Sequence, residues 1–348
     1  MPVILVLELI GRVGKKQLLN SALFKISRCS EEIGASVFFC VQCLVNGRGN
    51  MAGKDIIIAL WAVFLWSLNI VVQKVAITDL SVFIFSFLRV GLVFPLLFFY
   101  PKPEKSLWKY MLCGLFMGVL YFILFGYGLK SDIGAGLSAF IVQLQVFFGI
   151  LCGFLILGEK PKLFQIIGIL ISCLGVYALK ATSSDAEFPM VAVLLLIGSC
   201  FCFGMGISLS KKLKVGGSMR DITWLSMASA VPLLFICFVV EGPLQTVDML
   251  IYMPTTVFLT LLFATVISTI WATYLWLGLL QRAPISSVVP FMLLLPIFSN
   301  IISAIVLGER LTSLQMVAGA IIIVGVMFAQ GLHMNLRQLL ERAGTRGD

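Results

Sequence analysis

A few polar and aromatic side chains sit inside long apolar blocks of this sequence, and their types define the chemistry open to it: Arg89, Asn69, Gln143, Gln145, Tyr121, Trp66 and Trp271. A guanidinium held away from water is a fork of donors suited to a carboxylate, and amides can hydrogen-bond the polar groups of a small ligand. Such residues are expensive in an apolar medium. A central arginine costs about 2.5–3.5 kcal/mol on insertion scales, so each must face protein or water. Each also has a plainer reading. Asn69 and the glutamines could be interhelical hydrogen bonds worth ~0.6 kcal/mol, Arg89 could extend its head toward a surface, and Trp66, Tyr121, Trp271 and Tyr274 could be packing residues or interface anchors. A second set, Lys74, Glu159 and Glu309, lies near the ends of apolar blocks. Both glutamates stand in the turn before a predicted helix, whose N-terminal dipole favours a carboxylate, so capping is the plain role and gating the alternative.

Other chemistries lack their residues. Cys40 and Cys43 form a C-x-x-C with no second pair, and the one histidine, His333, lies far from them, so no metal site is expected. No Asp or Glu lies deep in an apolar block. No phosphate-binding Walker loop or nucleotide domain is present, which excludes ATP drive within this chain and leaves no ATPase subunit in evidence. No constellation of His, Asp, Glu and Ser supports an enzyme, so no catalytic residue and no cofactor are assigned.

The elements that must position these residues follow from composition. The 348 residues are 60% hydrophobic and 12% charged, and the mean hydropathy is +1.08. Soluble domains run nearer 45–50% apolar and about 25% charged, so the solvent is a bilayer and the +9 net charge does not indicate nucleic acid. Crossing the hydrocarbon needs about 20 apolar residues. Ten blocks qualify, at 55–76, 81–100, 107–129, 134–157, 161–180, 188–210, 221–240, 254–280, 284–307 and 311–331. The reading is an all-α polytopic membrane protein of ten transmembrane helices. With the start of the first helix inside, fourteen Lys and Arg fall in inner segments and four in outer ones, which places both ends inside. Residues 1–50 fit this pattern poorly and carry no export signal. They read as a dispensable extension or an upstream start, with an amphipathic surface helix as the alternative. Residues 332–348 read as a basic cytoplasmic tail.

Self-comparison shows a duplication. At an offset of 150, Leu157-Gly158-Glu159-Lys160 falls on Leu307-Gly308-Glu309-Arg310, Gln165 on Gln315 and Gly175-Val176 on Gly325-Val326. At 137, Pro95-Leu96-Leu97-Phe98 falls on Pro232-Leu233-Leu234-Phe235 and Lys74 on Lys211. Two repeats, 51–180 and 181–331, each hold five helices. Five is odd, so the second repeat must enter the membrane from the opposite face, a 5+5 inverted topology of the kind that opens a midplane site to either side in turn. Placed by depth, Trp66, Asn69, Arg89, Tyr121, Gln143 and Gln145 share one layer, predicted to be the wall of a polar cavity just outside the midplane.

Trp66-Ser-Leu-Asn69 with Lys74, Phe87-Leu-Arg89, Gln143-Leu-Gln145-Val-Phe-Phe148, Gly158-Glu159 and Gly308-Glu309-Arg310-Leu311 give residues 52–331 a resemblance to the EamA family of the drug/metabolite transporter superfamily. The likeness is nearest to its bacterial O-acetylserine/cysteine exporter group. That resemblance implies a multi-pass protein of the bacterial inner membrane exporting small zwitterions such as amino-acid metabolites. Efflux of lipophilic drugs or flipping of a lipid carrier is the alternative within the superfamily. The expected partners are the bilayer and a small-molecule substrate, with the chain a monomer or homodimer. In this reading Arg89 attracts a carboxylate, and Asn69, Gln143 and Gln145 bind the substrate's polar groups.

Overall fold

The computed structural model describes residues 53–131, 133–183, 189–216, 218–282, 288–309 and 311–331; the expectations for residues 1–50 and for the tail lie outside them. Every element among the described residues is helical. Among the described residues, seven helices are long and apolar enough to cross a bilayer: α1 (Gly53–Asp79), α3 (Leu107–Lys130), α4 (Ala135–Leu157), α5 (Leu163–Ala181), α6 (Met190–Leu213), α7 (Met219–Val240) and α8, which begins with Thr255–Leu262 and ends with Ala272–Arg282. Three apolar helices are shorter: α2 (Val82–Gly91), α9 (Leu295–Val306) and α10 (Ser313–Ala329).

Prolines shorten two of them. The expected span 81–100 is α-helical only to Gly91 and then tightens into a 3₁₀ segment, Phe94–Phe98, with Pro95 near its start. The expected span 284–307 likewise opens with a 3₁₀ segment, Val289–Leu294, containing Pro290, and α9 follows with Pro296 in its first turn. Proline lacks the N–H that an α turn would use, so it is tolerated at such starts and disrupts interiors. Pro232 nonetheless sits inside an uninterrupted α7. The 13 extra residues of the second repeat, expected as a longer loop after α7, include a short helix, Pro243–Ile251.

Positions matched in sequence share local geometry. Gly158 and Gly308 both adopt left-handed φ angles, 71° and 70°, which end α4 and α9 without the steric penalty of a Cβ. Gln165 and Gln315 each accept the backbone N–H of the N-cap residue, at 2.8 Å from Lys162 and 2.9 Å from Thr312. Ser81 and Ser218, 137 residues apart, cap α2 and α7, a device worth about 1 kcal/mol. α3 and α8 each contain π-helical turns, Leu115–Leu120 and Phe263–Trp271. α4 tightens at Gln143–Leu144, the positions matching the 3₁₀ segment before α9.

Packing runs across the repeats. α1 lies on α8 and α9, α2 on α7 and α8, α3 on α6 and α7, α4 on α6 and α9, and α5 on α10. Exchanging every helix for the one five places along leaves this pattern unchanged. Small residues make the crossings. Ser67 Oγ donates to Leu295 O and Ser299 Oγ to Ser67 O, joining α1 to α9. At the matching α6–α4 crossing, a Cβ on Gly204 would come within 2.6 Å of the Phe148 backbone. The outside is apolar instead, with Leu163, Leu170, Leu174, Val231 and Phe235 exposed, as expected where lipid is the solvent.

Candidate functional site

Arg89, in the last turn of α2, is 8% exposed, and its partners come from three other helices. On α1, Gln73 Oε1 accepts from Nη1 at 2.7 Å, and Asn69, with its amide oxygen turned to the guanidinium, accepts from Nη1 and Nη2 at 3.2 Å. On α8, Thr269 Oγ1 accepts from Nη2 at 3.4 Å, while Thr265 Oγ1 donates to the Arg89 carbonyl at 3.1 Å. On α3, the Phe122 ring centroid lies 4.7 Å from Cζ, a cation–π contact. No carboxylate pairs with Arg89 among the described residues. Arg89 Nε, Gln73 Nε2, Ser86 Oγ and Ser268 Oγ are buried and have no hydrogen-bond partner among the described residues. A buried guanidinium surrounded by neutral groups, with one N–H unpaired, is chemically suited to an anionic partner.

The aromatic walls adjoin this centre. Trp66 Nε1 donates to Ser268 O at 3.1 Å, and its ring lies 5.2 Å from that of Trp276. Trp66, Asn69 and Gln73 share one face of α1 by their spacing. Tyr121 is half-buried, 5.0 Å centroid to centroid from Phe122, and contacts Phe125 and Phe203.

Other expected site residues go elsewhere. Gln143 is buried and donates to Met292 O at 2.9 Å, tying the α4 break to the 3₁₀ segment before α9. Gln145, half-buried, opens the second part of α4. Trp271 is 44% exposed and stands edge-on to Trp61. The polar layer expected from the first repeat is therefore completed by α8 of the second, through Thr265, Ser268 and Thr269. Those three were missed by sequence reasoning, and Gln73 with them, although its position one turn past Asn69 on the same face is a usable signal.

Gln143 gives a first test. Because its amide is engaged by Met292, Gln143→Leu is expected to leave the substrate half-saturation within about twofold, an interhelical bond in a membrane being worth ~0.6 kcal/mol. Concentration-dependent uptake into vesicles measures this, and a tenfold weaker half-saturation would make Gln143 a ligand after all.

The duplicated glutamates do not cap the helices that follow them. Lys162 and Thr312 are the N-cap residues there. Glu309 instead accepts from the backbone N–H of Ala135 at 2.7 Å and of Gly136 at 3.4 Å, so it caps α4, and it pairs with Lys74 at 2.8 Å. Glu159 pairs with Lys211. The lysine had appeared in the self-comparison only as the match of Lys74.

Comparison with known proteins comes to the same architecture. The sequence profile of the EamA-like transporter family matches residues 53–180 and 190–330. A protein of Salmonella typhimurium named "Probable amino-acid metabolite efflux pump" is 28% identical over 300 residues, covering 84% of this chain and 100% of its own. An Escherichia coli protein of the same name is 28% identical over 282 residues, covering 79% and 94%. An uncharacterized transporter of Bacillus subtilis is 27% identical, covering 75% and 86%. One solved crystal structure superposes with a TM-score of 0.54 at 15% identity, over 82% of this chain and 99% of its own, a likeness of fold.

Proposed function

Because this chain belongs to the EamA-like transporter family, we propose that it is a secondary exporter of amino-acid metabolites, of the size and charge of O-acetylserine or cysteine, working by alternating access. In this reading it is a multi-pass protein of the bacterial cytoplasmic membrane with ten spans, N-in and C-in, whose repeats 51–180 and 181–331 are of opposite topology, and it acts as a monomer or homodimer. The exchange-invariant packing of the helices supports the two-repeat arrangement. Relatives named as amino-acid metabolite efflux pumps support the substrate class.

The observation that carries the reading is Arg89, buried, charged and without a carboxylate partner among the described residues. The substrate's carboxylate completes it. Asn69 and Gln73 hold the guanidinium in place, Trp66 and Tyr121 wall the pocket, and Gln145 meets the substrate along its path. Glu159, Glu309 and Lys74 act at the mouths. A lipid-carrier flippase or drug exporter has one observation in its favour: a cleft of about 280 Å³ lined by Leu88, Leu92, Leu250, Met253, Phe258 and Leu261, all apolar.

Mass spectrometry of the medium around cells overproducing the chain decides between them. Amino-acid metabolites are expected to accumulate outside several-fold above a control carrying Arg89→Ala. Accumulation of lipophilic compounds alone, or equal levels in both cultures, would remove the assignment.

A further inference from the structure

Each repeat supplies a lysine near the end of its first helix, Lys74 on α1 and Lys211 on α6, and a glutamate just beyond its fourth, Glu159 after α4 and Glu309 after α9. The fold pairs them crosswise, Lys74 with Glu309 and Lys211 with Glu159, so that each ion pair joins the two repeats. α4 fixes their positions. Its first residues, Ala135 and Gly136, donate to Glu309, and Glu159 follows its last turn. The pairs therefore stand at opposite ends of a 23-residue span, about 34 Å apart along the helix axis at 1.5 Å per residue.

Equivalent by symmetry, the two pairs differ in surroundings. The side chains of Lys74 and Glu309 are 22% and 25% exposed. Lys74 also donates to the Ile133 carbonyl, and Glu309 accepts from the Ala135 and Gly136 N–H groups as the cap of α4, which makes a closed knot of four bonds. Lys211 and Glu159 are 64% and 56% exposed and hold only each other among the described residues. An ion pair so exposed contributes little to stability, whereas bonds to a partly buried charge are worth more.

We propose that the two crosswise pairs are reciprocal latches, and that the described conformation is latched at the Lys74–Glu309 end. The opposite conformation forms when that knot hydrates and opens while Lys211 and Glu159 sink into the equivalent shielded position. In each open conformation only one latch is shielded, since a carrier shielding both is closed at both ends. The proposal rests on the reading of this chain as a two-repeat carrier and adds Lys211 and the sense in which each charge biases it.

Spin-label distance measurements on the full chain in lipid vesicles test it. In a background with the native cysteines replaced, one label pair (Thr78→Cys with Leu314→Cys) spans the Lys74–Glu309 end, and another (Lys212→Cys with Leu163→Cys) spans the other end. Glu309→Gln is expected to raise a longer component of the first distance about tenfold or more relative to the parent, with a shorter component rising in the second. Lys74→Met should do the same without touching the cap on α4, which covers the case in which Glu309→Gln fails to fold. Glu159→Gln is expected to leave the first distance at its parental value. The proposal is overturned if both cation and anion variants leave both distances unchanged, or if the two ends lengthen together as in general loosening. Efflux by the labelled parent is measured in the same vesicles. Unchanged distances in a chain that exports would end the latch and leave the transport reading standing, while a parent that exports nothing would end both.

Discussion

Arg89→Ala is expected to lower efflux of a carboxylate-bearing metabolite by about ten- to a hundredfold while the protein still reaches the membrane. Bonds to a charged group are worth roughly 1.5–3 kcal/mol each, and the side chain removed is the one cation held among Gln73, Asn69 and Thr269 at the centre of the bundle. Removal also strands the amide oxygens of Gln73 and Asn69, so the amount of variant reaching the membrane is measured beside efflux and separates transport loss from misfolding. Arg89→Lys keeps a charge but loses the planar fork that engages Gln73 and Thr269 together, and is expected to recover less than about a tenth of the lost rate. Initial efflux of labelled substrate from loaded vesicles, divided by the amount of protein, gives the ratio. A parental rate in Arg89→Ala would exclude the carboxylate role.

The second large effect concerns the seam between α5 and α10. A Cβ on Gly325 would lie 2.6 Å from Gly168 O and 2.7 Å from Ser172 N, and Ser172 Oγ donates to Ile322 O at 3.0 Å beside it. The Ser172 Oγ is nearer still, at 2.1 Å, and turning that hydroxyl away would leave both backbone contacts in place. Gly325→Leu must separate the helices, and overpacking of this kind costs roughly 1–3 kcal/mol or more. The expected outcome is a fall of at least about 5 °C in the melting temperature in detergent, or loss of the protein from the membrane. Gly149→Ala is the control, because nothing lies within 4 Å of its Cβ. It should be neutral or slightly stabilising, alanine being the better helix former. Equal losses in both variants would mean that the seam is not what Gly325 protects.

These two residues also mark how far the sequence could be read. The all-helical, apolar character of the chain and the doubled Gly-Glu turn were legible because hydropathy and self-similarity are one-dimensional signals, and the matching φ angles of Gly158 and Gly308 answer to them. Arg89 was legible as a charge that had to face inward. Its partners were only half so. Asn69 was found by depth, whereas Thr265 and Thr269 lie where π turns change which residues share a face, so an α-helical wheel misplaces them. Depth also grouped Gln143 with Arg89, but depth does not set the direction around the helix axis, and Gln143 turned to Met292. Trp271 shares the α8 segment and faces outward for the same reason. Glu309 reaches α4, 174 residues earlier in the chain. Nothing local predicts that, because Thr312 with Gln315 already caps the helix beside it.

The π turns of α3 and α8 hold more residues per turn than the helix around them. Rewinding one such turn to ordinary pitch would swing every side chain beyond it by about 100° per residue taken up. On α8 that screw motion would carry Thr269 off the guanidinium without unfolding anything, and on α3 it would roll Phe122 off its opposite face. The hold of these two helices on the guanidinium can thus be loosened by rotation about their axes alone, with no shift of the glycine seam that holds the bundle together.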